Sequence, residues 1–133
     1  MAISIDEKIA WQNYNSKWIS NQRSREYAHI LRYNSQAILT SSKTIIKDDP
    51  RFTIRKKNKI IKYPPLIIVD NFLKIPLKSK VLNSLSKRRI IIFTLKNNKK
   101  SQNLKKLGCD IILVKQKDQS NLKKIFTKLY NIG

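Results

Sequence analysis

The chain has 133 residues and a hydrophobic content of 41%, values typical of one folded domain with its own core. No apolar run approaches the roughly 18 residues needed to span a bilayer, and Asp6 and Glu7 stand where a signal peptide would carry its basic region. These features argue against a membrane protein and a secretory leader, so we expect a cytoplasmic protein with no membrane partner.

The formal net charge of +21 is of the kind that ordinarily indicates a nucleic-acid partner. Residues 1–55 carry nine basic and five acidic residues, whereas residues 56–133 carry twenty basic and three acidic ones. Lysine, isoleucine and asparagine, which share A/T-rich codons, make up 55 of the 133 residues. Arginine and interleaved aromatics, which nucleic-acid proteins favour, are scarce in the basic half. Compositional drift therefore explains the charge better than a selected RNA-binding face.

The sequence has one cysteine, Cys109, and one histidine, His29. An internal disulfide and a zinc site built from cysteine and histidine are therefore excluded. Cys109 begins an apolar run and is predicted to be a core residue, and His29 falls within a predicted helix, where a structural or surface role is favoured over a catalytic base. The two glycines, Gly108 and Gly133, leave no glycine-rich loop for a dinucleotide pyrophosphate.

The first half of the chain alternates short apolar and polar segments. A weak alternation at residues 2–6 could end a strand. Ser20 is a candidate N-cap for a helix over 21–33, whose apolar residues Tyr27, Ile30 and Leu31 share one side. A short buried strand is predicted at 37–39. It is followed by a turn or single helical turn over 41–49 that Pro50 ends, and by an extended segment at 52–55.

The second half has the rhythm of a parallel α/β domain. A charged, proline-ended connector at 56–65 precedes continuous apolar strands at 66–69, 89–95 and 111–114, a pattern typical of a sheet buried on both faces. Between them lie a loop with a short helix at 74–84 and a helix at 101–107 with Gly108 as its C′ residue. Ser120 is predicted to cap a last helix with apolar positions at 122, 125, 126, 129 and 130.

This strand–helix alternation predicts an α/β fold with a mainly parallel sheet. A crossover helix normally delivers the chain to a further buried strand, and no such strand follows the last helix. We therefore expect one partial domain over residues 1–133, incomplete at its C-terminus.

Two groups of charged residues are candidates for binding. Arg32 and Arg55 could hold a phosphate if the helix and the later turn converge, although spacing alone favours solvated arginines. The sequence Asp48-Asp49-Pro50 could supply paired carboxylates, although a turn is the commoner use of these residues. Trp18 precedes the helix cap, where a core residue is commoner than a cofactor contact.

The motif Ser16-x-Trp18-Ile19-Ser20, followed by Arg32, Thr44 and Asp48-Asp49-Pro50-x-x-Thr53-x-Arg55, resembles the reductase domain of the bifunctional riboflavin-biosynthesis deaminase/reductase. Ser4-Ile5-Asp6 fits the same pattern, and the likeness continues through Pro65–Asp70. Beyond that point only the strand–helix rhythm agrees.

The resemblance implies a dihydrofolate-reductase-like α/β fold and NADPH-dependent reduction of the ribosyl group of 5-amino-6-(5-phosphoribosylamino)uracil to a ribityl group. It also implies site residues at matching positions. Substrate would be bound by Ser16, Arg32, Phe52 and Arg55, and NADPH by Ala2, Trp18, Thr44, Asp48 and Asn71. No metal site and no covalent catalytic residue are implied. A homodimer is expected by family analogy, and a separate deaminase is a further expected partner.

The chain departs from the family pattern at several points. Glu7 stands where the family has glycine, no deaminase domain is expected, and the family's acidic, glycine-rich E-G-G segment would follow the last helix. The resemblance thus implies a C-terminally truncated reductase. Two other interpretations stay open: a non-catalytic remnant that serves as an interaction module, and a basic RNA-associated domain.

Overall fold

A computed structural model describes residues 21–57, 59–115 and 122–132 of the chain. The predicted strand at 2–6 and the predicted caps Ser20 and Ser120 lie outside these residues. In chain order the elements are α1 (Gln22–Asn34), β1 (Ile38–Ser41), α2 (Ser42–Asp48), β2 (Ile54–Lys56), β3 (Lys59–Lys62), β4 (Leu66–Val69), a 3₁₀ helix (Leu82–Lys87), β5 (Ile90–Thr94), α3 (Lys99–Lys106), β6 (Asp110–Leu113) and α4 (Leu122–Tyr130).

The centre of the fold is a four-stranded sheet in the order β1-β4-β5-β6. Every neighbouring pair is parallel, with Ile38 opposite Leu66, Leu66 opposite Ile90 and Ile91 opposite Asp110. Because the strands are parallel and in sequence order, their carboxyl ends share one edge, where ligands of open α/β sheets usually bind. The predicted α/β class with a mainly parallel sheet flanked by helices is confirmed.

Both faces of the two middle strands are buried, which explains their unbroken isoleucine-rich sequences. Leu66, Ile68, Ile90 and Ile92 face the larger core, which also contains residues of α2, α3 and the loops. Ile67, Ile91 and Phe93 face the other side. On that side Ile125 of α4 is 2% exposed and covers them.

The helix α1 begins at Gln22, and Asn21 is its N-cap because the Asn21 side chain accepts from the Ser24 N–H at 2.8 Å. The prediction of Ser20 as the cap is therefore wrong by one residue. Serine and asparagine are similarly good N-cap residues, so the sequence does not distinguish Ser20 from Asn21. None of the residues of α1 is buried, and Tyr27 is 60% exposed.

Several other boundaries differ from the predictions. The strand at 37–39 instead covers Ile38–Ser41 and is only half-buried. The turn or single helical turn predicted over 41–49 is a seven-residue helix, α2, which is capped by the Ser41 hydroxyl and ended by Asp49 in the left-handed conformation. The prediction of a connector over 56–65 is wrong, because Lys59–Lys62 form the strand β3, which pairs antiparallel with β2.

The end of α3 follows the prediction closely. Gly108 has φ +103°, donates to the Lys105 carbonyl at 2.9 Å, and is followed by Cys109, which donates to the Leu104 carbonyl at 3.0 Å. This is a Schellman motif with Gly108 at C′. Cys109 is buried in the core as predicted, and burial raises the pKa of its thiol to about 11. A reactive thiolate at this position is thereby disfavoured.

Within the described ranges, no helix is both long and apolar enough to cross a membrane. The same ranges contain no group of three or more His, Cys, Asp or Glu side chains that could hold a metal ion.

Candidate functional site

A basic cleft of about 320 Å³ opens between α1 and the loop that joins α2 to β2. Its volume is at the lower end of the range for small-molecule sites. The cleft is lined by His29, Arg32, Asp49, Pro50, Arg51, Phe52, Thr53, Arg55 and Lys80. Four permanent cations therefore face one carboxylate, an arrangement that suits an anionic ligand.

Helix α1 brings His29 and Arg32 to the cleft from one side, because residues three apart lie on the same helix face. The strand β2 supplies Arg55 from the other side. The Arg55 backbone N–H donates to His29 Nδ1 at 3.3 Å and so ties the strand to the helix. The Arg55 side chain is oriented by its Nε, which donates to Thr53 Oγ1 at 3.2 Å. Its remaining guanidinium N–H groups can serve a ligand.

The surroundings of the His29 imidazole favour its neutral form. Burial lowers its pKa below the ordinary value of 6.5, and the charges of Arg32 and Arg55 lower it further. With Nδ1 accepting from Arg55, the proton of the neutral ring is on Nε2, which is then a donor.

The carboxylate of the cleft is already engaged by Lys80. Asp49 Oδ1 accepts from the Lys80 backbone N–H at 2.9 Å, and Oδ2 lies 3.2 Å from Lys80 Nζ. The backbone hydrogen bond is the main cause that lowers the pKa of Asp49, and desolvation opposes it. Lys80 is thus the cation that pairs with this carboxylate, and the charge of Arg51 acts on it as well.

The floor of the cleft is fixed from behind by Arg88. This side chain is 7% exposed, and its Nη1 and Nη2 donate to the carbonyls of Phe52 and Arg51 at 3.1 and 2.7 Å. Phe52 has φ +47°, a left-handed conformation that non-glycine residues seldom adopt. Burial lowers the pKa of Arg88, and the nearby Tyr63 opposes this.

A second group of candidate residues lies at the carboxyl edge of the sheet, beside the cleft. Thr44 follows β1 within α2, Asp48 is the last residue of that helix, and Asn71 follows β4. Thr44 and Asp48 are four residues apart and share one face of α2. Ser41 opposite Val69 sets the ends of β1 and β4 level, so the residues that follow these strands lie at the same edge.

Asn71 carries an unused polar atom at this edge. Its backbone carbonyl accepts from Leu95 N and Thr94 Oγ1 at 3.1 and 3.3 Å. Its side-chain Oδ1 is buried and has no hydrogen-bond partner among the described residues. A buried acceptor without a partner is costly, so a bound ligand with a donor group would satisfy it. The edge therefore offers one buried acceptor to a donor group of a ligand.

Of the residues predicted to bind substrate, the structure brings Arg32, Phe52 and Arg55 together in the cleft. Of those predicted to bind cofactor, Thr44, Asp48 and Asn71 lie at the carboxyl edge, with Thr44 half-buried and Asp48 exposed. The predicted residues Ala2, Ser16 and Trp18 lie outside the described residues. The ligand roles of all of them stay predictions.

Sequence reasoning did not single out Lys80, Arg51 or Arg88. Lys80 and Arg88 are 31 and 36 residues away from their partners Asp49 and Phe52, so no local pattern links them. The one available signal was the tandem Arg88-Arg89 in a stretch where the other basic residues are lysines.

Comparison with known proteins gives one consistent family. The family model described as the RibD C-terminal domain matches residues 1–133. The riboflavin biosynthesis protein RibD of Aquifex aeolicus is 41% identical over 128 residues, covering 96% of this chain and 35% of that protein. The 5-amino-6-(5-phosphoribosylamino)uracil reductase of Buchnera aphidicola is 29% identical over 100 residues, covering 67% of this chain and 47% of that one.

Solved structures agree with the sequence relatives. The crystal structure of a diaminohydroxyphosphoribosylaminopyrimidine deaminase/5-amino-6-(5-phosphoribosylamino)uracil reductase from Thermotoga maritima matches with a TM-score of 0.76 and 25% identity. The match covers 97% of this chain and 34% of that one, so the chain spans about a third of the length of such relatives. The dihydrofolate-reductase-like fold class is confirmed by this likeness. On its sequence and its fold, the chain belongs to the RibD C-terminal domain family.

Proposed function

We propose that this chain carries the reductase function of riboflavin biosynthesis in the cytoplasm. The substrate would be 5-amino-6-(5-phosphoribosylamino)uracil, and its ribosyl group would be reduced to a ribityl group. The observation that carries the proposal is the convergence of Arg32 and Arg55, from separate elements, on one basic cleft. The printed names of the Buchnera and Thermotoga relatives supply the reaction.

In this proposal the cleft binds the 5-phosphate of the substrate. Arginine forks suit a phosphate because they offer two parallel N–H donors and a fixed charge. The Arg55 side chain is oriented by Thr53, and Arg32 lines the cleft from α1. The phosphate would therefore be bound from both walls. Phe52 offers an apolar surface on the same wall. The His29 Nε2 donor would complete the hydrogen bonds to the anion.

The cofactor would be NADPH, which supplies a hydride when bound. Thr44, Asp48 and Asn71 would hold it at the carboxyl edge, together with Ala2 and Trp18. Hydride transfer depends on setting two ligands face to face and requires no protein nucleophile. The geometry supports this division, because α2 carries Thr44 and Asp48 and leads directly into the loop that walls the cleft. Ser16 would be a further substrate contact.

A crossed pair of substitutions tests this division of the site. We expect Arg32→Ala to weaken binding of ribose 5-phosphate by roughly tenfold to a hundredfold, the loss typical of a charge-assisted hydrogen bond, and to spare NADPH binding. We expect Asp48→Ala to weaken NADPH binding and to spare ribose 5-phosphate. Both affinities are measured by titration calorimetry. Arg23→Ala, which removes the same charge from an exposed position on the same helix, should change neither affinity.

The activity itself is measured as oxidation of NADPH in the presence of the substrate. If the wild-type chain binds neither ligand at millimolar concentration and shows no turnover, the reductase proposal is wrong for this chain. A homodimer and a separate deaminase partner also belong to the proposal. The homodimer would be recognised by light scattering as twice the mass of the chain.

A further inference from the structure

Arg88 is a buried cation held by hydroxyl and carbonyl oxygens. Its Nε donates to Ser84 Oγ at 2.8 Å, while Nη1 and Nη2 donate to the carbonyls of Phe52 and Arg51. Tyr63 lies beside it, with the guanidinium carbon 6.0 Å from the ring centre. Among the described residues no carboxylate contacts it. A desolvated cation without an anionic partner is expensive, which makes a purely stabilising role a poor explanation for it.

The two carbonyls that Arg88 holds belong to consecutive residues of the cleft wall. Arg51 and Phe52 both line the cleft, and Phe52 has φ +47°. This backbone conformation is disfavoured for a residue with a side chain and persists only where its surroundings impose it. Two donors in the rigid plane of one guanidinium impose it, because they fix the directions of both carbonyls together.

The backbone at Phe52 also determines where Thr53 and Arg55 lie. Thr53 follows Phe52 directly and orients the Arg55 side chain, and the Arg55 backbone then contacts His29. A rotation of the peptide at Phe52 would therefore displace the arginine on one wall from the arginine on the other.

We propose that Arg88 is a positioning residue for the anion-binding cleft: it lies behind the residues that line the cleft and sets the backbone that places Phe52 and Arg55. This inference rests on the proposed function, since it concerns the same cleft. It predicts that a lysine cannot replace Arg88, because one ammonium group on a flexible stem lacks the planar fork that reaches both carbonyls.

The test compares Arg88→Lys with two variants of its surroundings in the full chain. We expect Arg88→Lys to weaken ribose 5-phosphate binding by about tenfold, since small displacements of a binding group are costly. Ser84→Ala frees only the Nε end of the guanidinium and should have an intermediate effect. Arg89→Lys alters an exposed neighbour that is paired with Asp110 and should leave the affinity within about twofold.

Two readouts separate positioning from simple loss of stability. Affinities are measured at a temperature where each variant is fully folded, so reduced stability alone leaves them unchanged. NADPH affinity should stay at the wild-type value in all three variants. If Arg88→Lys does not fold, Ser84→Ala carries the test, with an expected loss of about threefold.

The outcomes distinguish this inference from the proposed function. A wild-type chain that binds no ribose 5-phosphate contradicts the proposed function. A wild-type chain that binds it, with Arg88→Lys binding equally well, contradicts the positioning role alone. Equal losses of ribose 5-phosphate and NADPH affinity would also contradict it, because they would indicate a general loosening of the domain.

Discussion

At the scale of single residues, His29 reports on the cleft because no other histidine is present in the chain. Its Nδ1 accepts from the Arg55 backbone, and two arginines lie near its ring. Protonation of Nδ1 would remove that hydrogen bond and add a third positive charge. Both effects favour the neutral ring in the ligand-free protein.

We expect the His29 resonance in proton NMR to titrate with a pKa below 6.5 in the free protein. Addition of ribose 5-phosphate should move this pKa upward, because a bound anion offsets the charges of Arg32 and Arg55. The same titration in Arg32→Ala is the control, and there the ligand should cause a smaller shift. A pKa unchanged by ligand in a protein that binds it would place the anion away from His29.

The same shift has a consequence for stability. Because the folded-state pKa lies below the unfolded value, the unfolded chain takes up a proton first as pH falls through about 6.5. The contribution of neutral His29 to the free energy of unfolding is therefore present above that pH and is lost below it. The residue is only half-buried, so solvent screens the interactions of its ring and the effect is small.

The sequence brought out Arg32, Phe52 and Arg55, and the structure places them in one cleft. The motif intervals made this possible, since family resemblance depends on order and spacing. The roles of Lys80 and Arg88 could not be predicted from the sequence, because they depend on contacts with residues more than 30 positions away. Each looks like an ordinary surface cation in sequence.

At the scale of elements, the strands and helices of the parallel sheet were predictable and the hairpin was not. Buried strands such as β4 are continuous apolar runs, and Gly108 marks a helix end by its left-handed conformation. The strand β3, by contrast, has the sequence Lys59-Ile60-Ile61-Lys62, which lacks alternation, and all four residues are exposed. It is a strand because it pairs with β2, and the residue types of β3 alone do not predict that pairing.

The first turn of the helix α3 carries positive charges that interact unfavourably with the helix dipole, and a substitution can remove them. A capping box of Asn98 and Ser101 satisfies its amino end, yet Lys99 and Lys100 place positive charge there and no acidic residue occupies the first turn. The helix dipole favours negative charge at this end and positive charge at the other. Lys105 and Lys106 are accordingly well placed in the last turn.

We expect Lys99→Glu to raise the free energy of unfolding by about 0.5 kcal/mol and Lys106→Glu to raise it less or to lower it. Both variants make the same change in net charge, so their difference isolates the position along the helix. Urea unfolding at low ionic strength measures it, and the difference should shrink in salt. Equal effects of the two variants would mean that net charge alone decides the result.

At the scale of the whole molecule, the excess of positive charge is not matched by carboxylates. In residues 56–115 Asp70 is buried and accepts from the Lys74 and Ile75 backbones at 2.9 and 2.8 Å, so it offers little to surface lysines. Asp110 is paired with Arg89. Lys80 is paired with Asp49, but the stretch keeps a large positive net charge, so its surface lysines repel one another and lower the stability of the compact state.

Drift and a selected RNA-binding face make different predictions for this charge. A drifted surface gains nothing from its lysines, so their removal should stabilise the protein. We expect the free energy of unfolding of the wild-type chain to rise as sodium chloride increases from low to physiological concentration, because salt screens the repulsion. The variant Lys96→Gln/Lys99→Gln/Lys100→Gln, which leaves the last turn of α3 unchanged, should be more stable at low salt and should respond less to salt. A wild-type stability that is flat with salt would contradict the repulsion argument. Retention of tight, sequence-dependent RNA binding at physiological salt, lost in the triple variant, would instead favour a selected RNA-binding face on α3.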